Sequence, residues 1–294
     1  MKEQDLLKII KSQIGGEYIG DDCAYLKDFN IVITQDSLVE GVHFKRDWYS
    51  PNELGYKSVA VNISDVLASG AKPVYVTIAL SLPKDINENF VKEFYIGAKE
   101  ALCGAKIVGG DITGSDKLYI SITALGDTKR RFISSRSGAK SGYVVITSGL
   151  YGGSSAGLRA LINSEQNDEL INSHKKPILN EEFSRLISVN INEAYAMMDT
   201  SDGLADALFK IAQASNVSID IDYEKIPKSV QDSNDVLFGG EDYNLIAAVP
   251  NHILSKLNKY TIIGHVKDYS GYFFNVNGKE YKSYDDIKVY NHFE

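Results

Sequence analysis

Six aspartates stand out in this sequence because of where they fall relative to the predicted strands, turns and helices. They lie in turns, at strand ends or on a polar helix stripe: Asp22, Asp36, Asp65, Asp111, Asp199 and Asp202. Carboxylates that converge without lysine partners repel one another, and burial raises their pKa values. Divalent cations relieve that repulsion. Oxygen ligands without a cluster of His and Cys favour Mg²⁺ over zinc.

Several Mg²⁺ ions beside an arginine are typical of enzymes that transfer a phosphoryl group from a nucleotide. The residues alone therefore suggest an ATP-dependent enzyme without naming its acceptor. For each single aspartate, the ordinary alternative is turn chemistry, helix capping or a solvated surface position.

A helix in the stretch 57–73, ending at Gly70, is expected to position Asp65. Its apolar residues recur at helical spacing and predict one buried face, made by Val59, Ile63, Val66 and Leu67. Small polar residues recur on another face: Ser58, Asn62, Asp65 and Ser69. This second stripe contains no Lys, Glu or Arg, so we expect it to face a polar cavity. The alternative is an amphipathic helix with Asp65 at its surface.

Other elements place the remaining aspartates. A strand at 31–33 stops before Thr34, Gln35 and Asp36, and a loop with His43 follows. Asp111 is expected in a glycine turn after a short strand at 107–108. A helix predicted over 183–196 leads into Asp199 and Asp202, which open a further helix that runs to Ala214.

Residues 128–142 form the only clear break in composition, being basic and rich in Ser and Gly. We place a domain boundary there, with an N-terminal domain over 1–135 and a C-terminal α/β domain over 136–294. Strands and helices alternate in the first half, which predicts an α/β or α+β fold. The glycine loop at 149–157 lacks the end of a Walker P-loop, so we interpret it as a structural turn.

Composition excludes several classes of function. The net charge of −8 argues against a nucleic-acid surface. With two cysteines, Cys23 and Cys103, neither a disulfide framework nor a four-thiolate zinc site is available. The first helix reads as amphipathic rather than as a signal peptide, and no apolar segment reaches membrane-spanning length. We therefore expect no membrane partner and a cytoplasmic setting.

Eight motifs in order resemble the thiamine-monophosphate kinases, of the aminoimidazole ribonucleotide synthetase superfamily. They are GDDCA, TQDSLVEGVHF, VAVNISDVLASGAKP, FYIG, GGDITGS, SRSGAKSG, MDTSDGL and FGGEDYNL. The resemblance spans nearly the whole chain. It implies direct transfer of the γ-phosphoryl of ATP to thiamine phosphate, with several Mg²⁺ ions and no covalent enzyme intermediate. It also implies two α/β domains and a homodimer whose N-terminal sheets join into a barrel.

The resemblance also assigns roles to residues. The implied metal ligands are Asp22, Thr34, Gln35, Asp36, Asp65, Asp111, Asp199 and Asp202, of which Asp36, Asp65, Asp199 and Asp202 are the expected catalytic group. Matched to ATP are Tyr95, Gly110, Asp111, Arg136 and Ser201; matched to thiamine phosphate are His43, Glu241 and Tyr290. Gln35 departs from the family pattern, which usually has a hydroxyl residue there.

Other members of the superfamily are weaker alternatives. A selenophosphate synthetase needs a reactive Cys or selenocysteine ahead of the first metal aspartate, whereas Cys23 follows Asp22. A hydrogenase-maturation relative ends in a reactive cysteine tail, which this sequence lacks. An aminoimidazole ribonucleotide synthetase and a non-catalytic binding regulator stay open, and a substrate assay separates them.

Overall fold

The computed structural model describes residues 3–288, which form two mixed sheets and the helices around them. The α-helices are Glu3–Ile14 (α1), Pro51–Ala68 (α2), Glu88–Glu100 (α3), Gly153–Asn163 (α4), Asp168–Lys175 (α5), Glu181–Asn190 (α6), Leu204–Ser215 (α7) and Ser233–Phe238 (α8). The strands are Ala24–Leu26 (β1), Ile31–Val39 (β2), Lys72–Leu82 (β3), Lys106–Gly114 (β4), Tyr119–Asp127 (β5), Val144–Thr147 (β6), Ala196–Asp199 (β7), Val217–Ile221 (β8), Leu245–Val249 (β9), Thr261–Asp268 (β10), Phe274–Val276 (β11) and Lys279–Tyr281 (β12). Over these residues, no helix combines the length and the apolar character needed to cross a bilayer.

The two sheets divide the chain into an N-terminal and a C-terminal half. The first has the order β1-β2-β5-β3-β4, and its β3–β4 pair is parallel. The second has the order β12-β11-β8-β10-β6-β9-β7, and its β11–β8 pair is parallel. The predicted α/β class is confirmed. Because β7 is at one edge of the second sheet, its last residue, Asp199, can meet groups of the first half.

Helix α2 lies between the two halves. Ser50 caps it through a capping box with Glu53, and Pro51 occupies the first turn, so it begins earlier than the predicted stretch. It packs on β2, β3 and β5 and also on β7 and α6. Gly55 and Gly97 let α2 approach α3 closely, since a Cβ on either would collide with the backbone of the other helix.

The polar stripe of α2 is mostly buried against protein rather than facing a cavity. Ser58, Asn62 and Ser69 are at most 5% exposed, and each side chain donates to a carbonyl of its own helix, at 2.7, 3.1 and 2.7 Å. Small polar side chains tolerate burial because they can bond back to the preceding turn. Of the four, only Asp65 lines the cavity described below. The expected cavity-facing stripe is therefore wrong for the other three.

The segment before Asp199 also differs from the prediction. Helix α6 ends at Asn190, and residues 196–199 form β7 instead of continuing the helix. All four residues of β7 are buried and pair antiparallel with β9. Tertiary pairing overrides helical propensity here, and it fixes Asp199 at a strand end.

Candidate active site

Three carboxylates from separate parts of the chain meet beside α2. Asp22 lies in the turn before β1, Asp65 is on α2 and Asp199 ends β7. One oxygen from each lies within 4.8 Å of the others. Thr34 Oγ1 donates to Asp65 Oδ2 at 2.6 Å, and Ser64 Oγ donates to Asp199 Oδ2 at 2.6 Å. The fold thus brings three of the six predicted aspartates together, and we call them the carboxylate cluster.

Like charges this close make the ionised forms costly. Burial raises the pKa of Asp65 well above its usual range, and the charges of Asp36 and Asp199 add to the rise. Burial and then the charge of Asp22 raise the pKa of Asp199 to about 7. Burial also raises the pKa of Asp22, although Arg136 opposes the change. The cluster therefore carries more negative charge than its protein neighbours neutralise.

The donor atoms of the cluster suit a hard cation. Within residues 3–288 it is the one group of three or more His, Cys, Asp or Glu side chains with metal-ligand spacing. Cys23 is close by, but burial and then the charge of Asp65 raise the pKa of its thiol well above the usual range, so it stays protonated. Only oxygen ligands remain, which fits Mg²⁺ rather than zinc.

Asp36 and the loop 199–203 extend the cluster towards a cavity. The backbone N–H of Asp36 donates to Asn62 Oδ1 at 3.0 Å, and burial followed by the charge of Asp202 raises the pKa of Asp36. Helix α7 has Gly203 at its N-cap and no side-chain capping bond, so capping does not explain the polar residues before it. Four of the residues predicted to bind metal or nucleotide line one cavity: Asp36, Asp65, Ser201 and Asp202.

Arg136 is a cation next to the cluster, and Lys210 lies farther along, 3.3 Å from Asp202. Arg136 Nη2 donates to Asp22 Oδ1 at 2.7 Å, and these two side chains are 19% and 5% exposed. Burial lowers the pKa of Arg136, but the Asp22 carboxylate outweighs it and leaves that pKa raised. Its Nε is buried without a hydrogen-bond partner among the described residues.

The side chain of Gln35 does not join the cluster. Successive side chains of a strand point to opposite faces, so Gln35 cannot share the face of Thr34 and Asp36 on β2. Its Oε1 instead accepts a hydrogen bond from Thr123 Oγ1 on β5 at 3.1 Å. The geometry therefore gives no support to its predicted role as a side-chain ligand there.

Three predicted nucleotide residues also lie apart from the cluster. The glycine turn expected around Asp111 is wrong, because β4 continues through it and Asp111 is exposed on that strand. Gly110 permits close pairing with β3, since a Cβ would collide with the backbone of Ile78. Tyr95 is on α3, edge-on to Phe94 with ring centroids 5.6 Å apart. No hydrogen bond or ion pair within residues 3–288 links Tyr95, Gly110 or Asp111 to the cluster.

A cavity of about 800 Å³ opens beside the carboxylate cluster. Two residues that the resemblance matches to the phosphoryl acceptor, His43 and Glu241, line this cavity. Apolar side chains such as Trp48 and Leu158 line it too. The Val39 N–H donates to His43 Nδ1 at 3.0 Å, so the neutral ring carries its proton on Nε2. The third predicted acceptor residue, Tyr290, lies outside the described residues.

Two functional candidates were missed from the sequence, Lys57 and His174. Lys57 Nζ lies 3.1 Å from Glu241 Oε2, and His174 Nδ1 lies 3.3 Å from the same oxygen. Lys57 precedes Asp65 by eight residues and Val61 by four, so the helical spacing puts all three on one stripe of α2. That spacing is a signal for Lys57, whereas nothing local to His174 indicates its role.

Family models match both halves of the chain. The N-terminal domain of AIR synthase related proteins matches residues 20–128, and their C-terminal domain matches residues 140–276. Thiamine-monophosphate kinase from Aquifex aeolicus is 37% identical, with 95% of each chain covered. The Bacillus subtilis enzyme of the same name is 34% identical, with 94% of this chain and 93% of the relative covered. The chain belongs to the thiamine-monophosphate kinase family.

Solved structures agree with this family. The structure of AaThiL complexed with AMPPCP and TMP matches with a TM-score of 0.88 and 35% identity, covering 99% of this chain and 97% of that one. Hydrogenase maturation protein HypE from E. coli matches at a TM-score of 0.70 but only 19% identity, so it shows the two-domain fold alone. The chain is thus an enzyme of the thiamine-monophosphate kinase family with that family's two-domain α/β fold.

Proposed function

We propose that this enzyme transfers the γ-phosphoryl group of ATP to thiamine phosphate, giving ADP and thiamine diphosphate. The observation that carries the proposal is the meeting of Asp22, Asp65 and Asp199 within 4.8 Å beside the cavity that Glu241 lines. The names of the relatives support the acceptor. The AMPPCP and TMP bound by AaThiL support ATP and thiamine phosphate as a substrate pair.

The cluster would hold several Mg²⁺ ions, with Thr34, Asp36 and Asp202 as further oxygen ligands. Bound Mg²⁺ supplies neutralisation of the charge that develops on the transferred phosphoryl group. The chain's own part is to fix the ligand oxygens: Thr34 and Ser64 hold Asp65 and Asp199 by hydrogen bonds of 2.6 Å. Direct in-line transfer needs no protein nucleophile, and the protonated, buried Cys23 is consistent with that.

Arg136 and Ser201 would bind the phosphates of ATP. The positions of Arg136 beside the carboxylate cluster and of Ser201 at the cavity support this, because a guanidinium and a hydroxyl both donate to phosphate oxygens. The predicted nucleotide roles of Tyr95, Gly110 and Asp111, and a ligand role for Gln35, rest on the family resemblance alone.

Glu241 and His43 would bind thiamine phosphate, with the carboxylate next to the thiazolium cation and Tyr290 as a predicted aromatic contact. A carboxylate facing a cation in a partly desolvated site favours that ligand over a neutral one. In this role Glu241 acts on the acceptor and not on ATP.

We propose in addition that the enzyme is a homodimer whose N-terminal sheets form a barrel. The proposed domains are residues 1–135 and residues 136–294. The face of the first sheet turned away from α2 supports the dimer, because it exposes large side chains such as Tyr75 and Tyr119, at 48% and 42%. Light scattering of the purified chain tests it, and a monomeric mass contradicts it.

The experiment that tests the reaction is a product assay with Mg²⁺, ATP and thiamine phosphate. We expect ADP and thiamine diphosphate in equal amounts, with free thiamine a poor acceptor. A site built for a charged group rejects an analogue that lacks it. ATP binding without any thiamine diphosphate contradicts the proposal and favours a binding regulator. Equal use of free thiamine contradicts only the choice of acceptor.

A further inference from the structure

Glu241 is held at the cavity wall by Lys57 and His174, and Tyr49 in turn accepts a hydrogen bond from Lys57. Lys57 comes from α2, His174 from α5, and Tyr49 from the loop before α2. We call these four residues the Glu241 network. The partners of Glu241 lie 184 residues (Lys57) and 67 residues (241 − 174, His174) away along the chain. The network therefore exists only in the folded protein.

Lys57 is a buried ammonium whose three N–H groups all have partners. Its side chain is 1% exposed, and Nζ donates to Tyr49 Oη at 3.1 Å, to the His174 carbonyl at 2.9 Å and to Glu241 Oε2 at 3.1 Å. Burial alone lowers the pKa of Lys57, but the charge of Glu241 outweighs it, so that the pKa is raised. Lys57 therefore stays charged and has no donor left for another ligand.

The Glu241 carboxylate fixes the tautomer of His174. Burial and then the Lys57 charge lower the pKa of His174 to about 3, so the ring is neutral. A carboxylate only accepts hydrogen bonds, so the ring nitrogen next to Glu241 must carry the proton, and the unprotonated Nε2 faces the Lys57 ammonium at 3.5 Å. The ring proton is therefore on Nδ1, which lies 3.3 Å from Glu241 Oε2 and 3.0 Å from Ser154 Oγ.

The backbone of Glu241 is equally constrained. Its φ of 65° lies in the left-handed region, which a residue with a long side chain rarely adopts. Its N–H donates to the Ser201 carbonyl at 2.7 Å, which ties it to the loop that carries Asp199 and Asp202. The hydrogen bond and ion pairs of its carboxylate converge on Oε2. The Glu241 side chain is still 30% exposed at the cavity wall, so a ligand in the cavity can reach it.

We propose that Lys57 and His174 are positioning residues for the acceptor, which hold the Glu241 carboxylate in one orientation towards the cationic ring of thiamine phosphate. The inference rests on the proposed function. Helix α2 carries both Lys57 and Asp65, eight residues or about 12 Å apart along its axis. One rigid helix therefore sets the distance between the carboxylate that binds the acceptor and the cluster that binds the metal ions.

The test compares Lys57→Met with Lys57→Arg and with Lys92→Met, a control on the exposed face of α3. Loss of the charged partner should raise KM for thiamine phosphate about tenfold or more, while KM for ATP stays within about twofold. Lys57→Arg should recover part of the loss, and Lys92→Met should match the wild type. An unchanged KM for thiamine phosphate in folded Lys57→Met, or equal rises in both KM values, overturns the inference.

A second pair of variants keeps the test decisive if Lys57→Met does not fold. His174→Asn retains an N–H near the position of Nδ1, whereas His174→Leu removes it. KM for thiamine phosphate should rise more in the leucine variant, and equal values overturn the inference. Wild-type protein that forms no thiamine diphosphate overturns the proposed function instead, so the two failures are distinguishable.

A double variant separates action through Glu241 from a general loss of stability. If Lys57 acts through that carboxylate, Lys57→Met combined with Glu241→Gln should be no worse than Glu241→Gln alone in its KM for thiamine phosphate. Additive increases in KM overturn the inference.

Discussion

The carboxylate cluster and the Glu241 network both hold charged groups that are largely removed from solvent, but burial and neighbouring charges act on their carboxylates in opposite directions. In the cluster, burial and neighbouring carboxylates raise the pKa values of Asp65 and Asp199. In the network, burial alone would raise the pKa of Glu241, but Lys57 and then His174 lower it. The network is balanced by charges within the protein, whereas the cluster keeps negative charge that its protein neighbours do not neutralise. Removing a charge should therefore have opposite effects on stability in the two places.

The largest expected effect is on turnover, from Asp65→Asn. Asp65 lies among Asp22, Asp36 and Asp199, and we propose that it is a metal ligand shared by the whole cluster, which this substitution would remove. The rate should fall by about 10²-fold or more, the scale of losing one electrostatic stabiliser. Steady-state kinetics measure this, with Asp28→Asn on the exposed 3₁₀ helix Lys27–Phe29 as the matched control. Near-normal turnover of folded Asp65→Asn would show that the reaction does not depend on the Asp65 carboxylate.

The next effect is on stability, measured by chemical unfolding in EDTA at about pH 8. Asp199→Asn should raise the free energy of unfolding, because the pKa of about 7 makes the ionised carboxylate unfavourable in the folded state. Glu241→Gln should lower it by about 2 kcal/mol, since Lys57 loses its charged partner. If the free energy of unfolding changes in the same direction in both variants, the cluster and the network do not have the opposite charge balance inferred for them.

The smallest effect is expected from Gln35→Thr. The side chain of Gln35 lies on the face of β2 opposite Asp36, so the substitution leaves the cluster unchanged. The Mg²⁺ concentration for half-maximal rate should stay within about twofold of the wild type, as is usual for substitutions away from a site. Titration of the initial rate with Mg²⁺ measures it, and a collapse in rate would give Gln35 a role of its own.

The two regions also differ in how well the sequence predicts them. Asp22 falls in a turn, Asp65 on a polar helix stripe and Asp199 among the polar residues before a predicted helix, and each of these patterns is visible in a single sequence. Lys57 and His174 are 117 residues apart, and only packing of α5 against α2 brings them together. The predicted strand ends at Ile33, whereas β2 runs to Val39. A prediction of the longer strand places Gln35 and Asp36 on opposite faces, because side chains alternate along a strand. The strand at 196–199 was missed because its pairing with β9 is not local.

The most direct test of the central claim, that the carboxylate cluster is completed by divalent cations, is the melting temperature with Mg²⁺ or with EDTA as a function of pH. The pKa of Asp199 is about 7 when folded against 3.8 for an ordinary aspartate, and that of Asp65 is also raised. The folded protein therefore binds more protons than the unfolded chain. This contribution to stability is present at low pH and is lost as the pH rises through about 7.

In EDTA, the melting temperature should therefore fall between about pH 5 and about pH 8. Mg²⁺ binds the ionised carboxylates, so the rise it causes should be larger at about pH 8 than at about pH 6, and smaller in Asp199→Asn. Groups outside the cluster contribute equally to the melting temperature in Mg²⁺ and in EDTA at a given pH, so the difference between the two conditions reports the cluster. A Mg²⁺ effect that is absent, or equal at both pH values and in both proteins, would contradict the account.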